Sequence, residues 1–170
     1  MVRFQYQFNA FTLILDIALV DLFVMDNLFK RFPDATPSRL TWARSAAVCN
    51  QTLAALALKE LKLDNFVLHA SPRLILALQQ ARDELKNVPY IEIVSHPWKF
   101  NPAKALGDLF ESLIGAIFVD SHFDLDLSFE VLERLMAKVL PELHPNLPAD
   151  PVSEFLEYVA KEGCTKVKFE

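Results

Sequence analysis

Between Asn101 and Asp120 the chain reads NPAKALGDLFESLIGAIFVD, an apolar run that carries two carboxylates. The pattern predicts one capped helix over these residues. Asn101 can accept a hydrogen bond from the free first-turn N–H groups, and Pro102 suits the first helical position. Leu106, Phe110, Leu113 and Ile117 recur at three- and four-residue spacing and predict the buried stripe. Asp108 and Glu111 stand three apart on another side, with Ser112 and Gly115 near them. Burying such a pair is costly unless a cation or a hydrogen-bond partner compensates. Hard oxygen donors favour Mg²⁺ or Mn²⁺ over zinc. The same spacing also describes an amphipathic helix with two solvated acids, so spacing alone leaves both readings open.

The flanking sequence reads as further helices. Met1–Phe11 alternates polar and aromatic residues loosely, and Thr12–Phe32 then turns helical, with Leu15, Leu19, Leu22, Phe23 and Leu28 as its apolar face. Pro33 ends it. Thr36 and Pro37 restart a helix that the pattern carries on to about Leu61, followed by a turn over Lys62–Asn65. Pro72–Lys86 is the next helix, with Leu74, Leu78, Ala81 and Leu85 inward. Asn87–Phe100 is irregular, with a short extended piece expected at Tyr90–Val94. Beyond Asp120 the expectation is a loop to Leu127 and a helix over Ser128–Leu140. Pro141, Pro145, Pro148 and Pro151 then mark a linker. Val152, Phe155, Leu156 and Val159 form the stripe of a last helix, Gly163 stops it, and Val167 and Phe169 begin a strand.

Scarce glycine and 52% apolar residues in a chain of 170 favour a helical globular domain with a sizeable core. The net charge of −5 is no footprint of a simple nucleic-acid-binding module, yet it is compatible with a nuclease whose metal ions offset the repulsion. Cys49 and Cys164 are isolated and read as buried thiols of a reducing compartment. His69, His96, His122 and His144 show no paired-ligand spacing, which argues against a zinc enzyme. Ala10–Met25 is short and holds Asp16 and Asp21, so no membrane span is expected. A secretion signal is absent too, and the expectation is a soluble intracellular protein, cytoplasmic or nuclear.

The run from Lys104 to Asp120 closely resembles the second acidic motif of the ribonuclease III family, in the version found in Dicer-type enzymes. Arg39–Ala54 resembles the helix between that family's two acidic motifs, and Leu63–Val67 the turn after it. Together these extend the resemblance from about Asp16 to about Leu140. Asp150–Glu170 looks like the opening of a double-stranded-RNA-binding domain, such as follows the second ribonuclease III domain of Dicer-like proteins. The resemblance implies an all-α ribonuclease III endonuclease fold over residues 1–144, with residues 1–15 outside the match. A linker and a short helix–strand appendage, incomplete as an RNA-binding domain, would occupy residues 145–170.

The resemblance also implies a chemistry. Cutting an RNA phosphodiester needs an activated water and neutralisation of developing charge. Two divalent cations about 4 Å apart, held by carboxylates, supply both. The family uses four acids, a Glu and an Asp from each motif, and its second pair falls on Asp108 and Glu111. Lys104 matches the lysine that precedes that pair and stands near phosphate. The first motif departs from the family. With Asp21 held in register, Ile17 falls on the metal-binding Asp and Leu13 on the Glu. A one-residue slip puts Asp16 on the Asp and Thr12 on the Glu. Asp16 is thus the candidate metal ligand from this motif, beside Asp108 and Glu111, and no acid fills the Glu position. The match breaks abruptly at Asp16, as an altered or truncated N-terminal segment would make it.

The expected activity is metal-dependent, double-stranded-RNA-specific endonucleolysis in RNA processing or silencing. The expected cofactor is Mg²⁺ or Mn²⁺. The partners are duplex RNA and a second ribonuclease III domain, from a homodimer or another chain, because only one set of motifs is present. Gly107, Gly115 and Ala116 would let a neighbouring helix approach. No helicase or PAZ domain accompanies the motifs. The alternative is a catalytically impaired domain of the same fold, acting as a dimerisation or RNA-binding scaffold. An isoprenoid-synthase-type enzyme is excluded for want of a DDxxD cluster.

Overall fold

The computed structural model describes residues 10–68 and 71–163, with the backbone alone for residues 10–16. Eight α-helices and no strand occur among the described residues: α1 (Ala10–Arg31), α2 (Pro37–Val48), α3 (Asn50–Lys59), α4 (Pro72–Leu85), α5 (Tyr90–Ser95), α6 (Lys104–Asp120), α7 (Leu125–Leu135) and α8 (Pro151–Lys161). The fold is all-α. The strand expected after Gly163 and the alternating residues before Ala10 lie outside the described residues.

Helix α6 is the axis of the packing and lies chiefly against α3 and α1, with α7 on a further side. Its buried stripe is Leu106, Gly107, Phe110, Ile114 and Gly115. Leu113 and Ile117, expected inside, are only half-buried because α3 and α1 cover the Phe110–Ile114 side. On α1 the inward residues are Leu19, Val20, Phe23, Val24 and Leu28, whereas Leu22 is exposed. Helix α4 turns Leu78, Ala81 and Leu85 inward, as its periodicity predicts.

Four elements differ from the sequence expectation, each for a physical reason. The helix expected to run from Pro37 to Leu61 breaks at Cys49, whose backbone is extended at φ −68°, ψ 154°. The Ala46 carbonyl, which a continuous helix would pair with the Asn50 N–H, accepts instead from the Thr52 hydroxyl at 2.7 Å and the Cys49 thiol at 3.3 Å. Helix α6 starts at Lys104 and not at Asn101. Gln51 donates to the Phe100 carbonyl and Asn50 to the Pro102 carbonyl, both at 3.2 Å, and these tertiary bonds hold Phe100–Pro102 outside the helix. Tyr90–Ser95 is helical and not extended, burying Tyr90, Ile93 and Val94 at helical spacing. Helix α7 begins early because the Asp124 carboxylate accepts from the Leu127 N–H at 2.9 Å, and it ends at Leu135.

The proline-rich run after α7 stays against the body. Leu143 and Leu147 are buried, and the Arg31 guanidinium at the end of α1 donates to the carbonyls of Leu140 and Leu143. Helix α8 buries none of its residues. Val152, Phe155, Leu156 and Tyr158 are exposed on it. Gly163 ends it at φ +76°, where a Cβ is unfavourable.

The turn after α6 has two non-glycine residues in the left-handed region, His122 (φ 60°) and Phe123 (φ 66°). The Phe123 N–H bonds the Phe118 carbonyl at 2.8 Å and the His122 N–H bonds the Val119 carbonyl at 3.1 Å. The two phenylalanine rings meet edge to face at 5.4 Å. This is a Schellman C-cap with its apolar contact, at the position that glycine fills most easily. His122→Gly is therefore expected to stabilise the fold by up to about 1 kcal/mol. A thermal melt checks this, and a lower midpoint would show that the imidazole contributes more than its backbone conformation costs.

Candidate acidic centre

Helix α6 presents Asp108 and Glu111 on one side while Leu106, Phe110 and Ile114 anchor the other in the core. Both acids are half-buried. Lys104, one turn earlier and exposed, makes an ion pair with the Asp108 carboxylate. That bond and the charge of Asp108 raise the Lys104 pKa. The Ser112 hydroxyl donates to the Asp108 backbone carbonyl at 2.6 Å, so it serves the helix and not the carboxylates.

Glu111 is the electrostatically stressed group. Burial pushes its carboxyl above the ordinary glutamate range, Asp108 and Asp21 push it further, and Lys104 opposes them. Asp21 thus belongs to this neighbourhood. The sequence pattern turns it toward solvent or a partner; in the fold it is half-buried on α1 and bonds Arg44 of α2 at 2.7 Å. Its position was legible as one helical turn after Ile17, on the same face. Ile17 itself is 46% exposed on that face. Asp26 pairs with Lys30 at 2.6 Å. The side chain of Asp16 lies outside the described residues, as does Cys164; Cys49 is half-buried with a free thiol.

Gly107 sets the distance between α6 and α3. A Cβ there would fall on the Asn50 side-chain oxygen, closer than real Cβ contacts come, with the Asn50 Cα at 3.5 Å. Gly107→Ala gains about 1 kcal/mol of helix propensity. It displaces the Asn50 amide from Pro102, at a cost of about 1 kcal/mol. The melting midpoint is expected to stay nearly constant while amide exchange at the entry to α6 accelerates. Unchanged exchange would mean that Asn50 finds another way to hold Pro102.

A model of the ribonuclease III domain matches residues 17–122, more than half of the chain. The chain belongs to the ribonuclease III family. Curated relatives include Endoribonuclease Dcr-1 of Drosophila melanogaster, 31% identical over 150 residues, which are 82% of this chain and 7% of that protein. Endoribonuclease Dicer homolog 1 of Oryza sativa subsp. japonica is 36% identical over 149 residues, 82% of this chain and 7% of the relative. Dicer-like protein 1 of Aspergillus niger is 35% identical over 125 residues, 69% of this chain and 8% of the relative. The ribonuclease III domain here thus spans less than a tenth of the length of each of these relatives.

Among the described residues of this ribonuclease III domain, no group of three or more His, Cys, Asp or Glu is placed to hold a metal ion. The donors that fit one are the pair on α6. Mg²⁺ commonly takes one or two carboxylates and completes its shell with water and substrate phosphate, and two half-buried acids with one raised pKa suit that pattern. No helix among the described residues is long and apolar enough to cross a membrane.

Proposed function

We propose that this ribonuclease III domain is a double-stranded-RNA-specific endoribonuclease that hydrolyses phosphodiester bonds with Mg²⁺ or Mn²⁺, within RNA processing or silencing. The observation that carries the reading is the Asp108–Glu111 pair on α6, where burial first and the charge of Asp108 second raise the Glu111 pKa. A divalent cation between the two would remove that cost. When bound, it supplies charge neutralisation at the phosphate and a more acidic water. Asp108 and Glu111 hold and orient it. Lys104 neutralises Asp108 while the site is free and turns to a phosphate oxygen when RNA arrives. Asp16 is the acid from α1 assigned to the same ion. A second ribonuclease III domain, from another copy or another chain, would provide the centre for the opposite strand. Residues 145–170 would begin an RNA-binding appendage.

The test is cleavage of an end-labelled RNA duplex with Mg²⁺ or Mn²⁺, beside a chelator control. Fragments with short 3′ overhangs, lost on chelation, are expected. Absence of metal-dependent products would refute the reading.

A second reading has its own support. Ile17 stands in register where the family places an acid, so a domain of this fold acting as a dimerisation or RNA-binding scaffold is the competitor. Size-exclusion chromatography with a metal titration separates the two: a dimer that takes up no Mn²⁺ favours the scaffold.

A further inference from the structure

At the end of α3 away from the acidic centre lies a cavity of about 360 Å³, lined by Leu58, Lys59, Glu60, Lys62, Arg82, Leu85, Lys86 and Lys138. Its size falls within the usual range of small-ligand clefts. Asn50, at the other end of α3, touches the Gly107 position beside Asp108. Ten helical residues put the cavity about 14 Å along the axis from there.

Five cations and one lining carboxylate meet in a chain whose net charge is −5. Two of the cations are neutralised locally. Lys138 pairs with Glu60 at 2.8 Å, and Arg82 pairs with Asp64. Glu60 also accepts from the Tyr90 hydroxyl at 2.9 Å, so its oxygens are turned to partners. The C-terminal ends of α3 and α4 together add the equivalent of about one negative charge. Lys59, Lys62 and Lys86 remain in excess.

Lys59 is held in place. Its ammonium donates to the Val88 carbonyl at 2.6 Å and lies 4.3 Å from the centre of the Tyr90 ring. Lys62 and Lys86 are exposed and have no ion-pair partner among the described residues. Lys62 also stands in the left-handed region at φ 51°, a conformation disfavoured for lysine that the following turn fixes through Asn65. The cluster is concave and short of anions, with the Lys59 ammonium already held in place.

We propose that this cavity binds a phosphate group, on a site separate from the acidic centre, with Lys59, Lys62 and Lys86 as its donors. The group belongs to a small phosphorylated compound or to the backbone of an RNA strand. Pyrophosphate is the probe, titrated calorimetrically into the whole chain under chelation so that no divalent ion recruits it to Asp108 and Glu111. Saturable binding that weakens with salt is expected. Lys62→Gln combined with Lys86→Gln should weaken it about tenfold or more, while the ligand-free melting midpoint falls only slightly, since both side chains are exposed and lose only their attraction to the helix C-termini. Asp108→Asn should leave it intact. Adding an RNA duplex identifies the source: displacement of pyrophosphate assigns the site to a backbone phosphate, and retention assigns it to a small compound. No binding beyond a chloride control of equal ionic strength would overturn the proposal. So would equal affinity in the folded double variant.

Discussion

Glu111→Gln is expected to abolish cleavage of duplex RNA while raising the thermal midpoint of the domain at neutral pH. The two effects have one origin. The Glu111 carboxyl titrates above its ordinary value of 4.5 because it is half-buried beside Asp108 and Asp21. Between the unfolded and folded pKa values the folded state keeps a proton that the unfolded state gives up. Stability therefore falls as pH rises through that window, and the full penalty applies above it. Glutamine carries no charge and escapes the penalty. Because the group is about half exposed, solvent screening keeps the gain in midpoint small. The catalytic loss is large, roughly 10³-fold or more, since metal-holding acids act as a unit. Melts at about pH 7 and at about pH 4 should show the gain shrinking in acid. If rate and midpoint fall together, Glu111 is a packing residue and the proposed chemistry loses its anchor.

Ile17→Asp is expected to raise metal-dependent cleavage by about tenfold or more, by returning a carboxylate to the α1 face that already carries Asp21. Position 17 is 46% exposed, so no cavity opens in the core. The cost is a modest loss of helix propensity and repulsion from Asp21 one turn on, together about 1 kcal/mol or less. Cleavage rates with Mg²⁺ and the stoichiometry of Mn²⁺ uptake are the measurements. A gain in both would show that the fold retains the geometry and lacks only the ligand. If Ile17→Asp is inert and Asp16→Asn removes activity, Asp16 holds the ion instead. If neither substitution changes metal uptake, the scaffold reading is the one to pursue.

What the sequence disclosed follows from the range of each interaction. Helices α1 and α4 have long apolar periods, and their spans were readable almost to the residue. The Asp108–Glu111 pair was readable because it lies within one helical turn. The break at Cys49 was hidden, because Ala46, Ala47 and Val48 run on into Thr52 and Leu53 with no proline or glycine between them. What marks the end of α2 is the capture of the Ala46 carbonyl by the Thr52 hydroxyl and the Cys49 thiol. The start of α6 was misplaced for a nonlocal reason: Asn101 has the chemistry of a cap, but Asn50 and Gln51, about fifty positions earlier, hold the backbone on either side of it. Helix α5 was misassigned because Tyr, Ile and Val favour strands in short segments. The face of α1 that carries Asp21 was readable, but its closeness to Glu111 depends on how α1 meets α6, which no local pattern encodes.

Arg31 and the residues it binds also fix where this molecule can be divided. The family match stops at residue 122, yet Leu132, Met136, Val139, Leu143 and Leu147 are buried beyond it. A polypeptide cut at that limit would open a trough along α1 and α6 and leave the Arg31 guanidinium without its carbonyls. Removing α8, none of whose residues is buried, would do neither. The cooperative unit therefore closes just past Leu147. The helix after it contributes no buried residue to the body that carries Asp108 and Glu111.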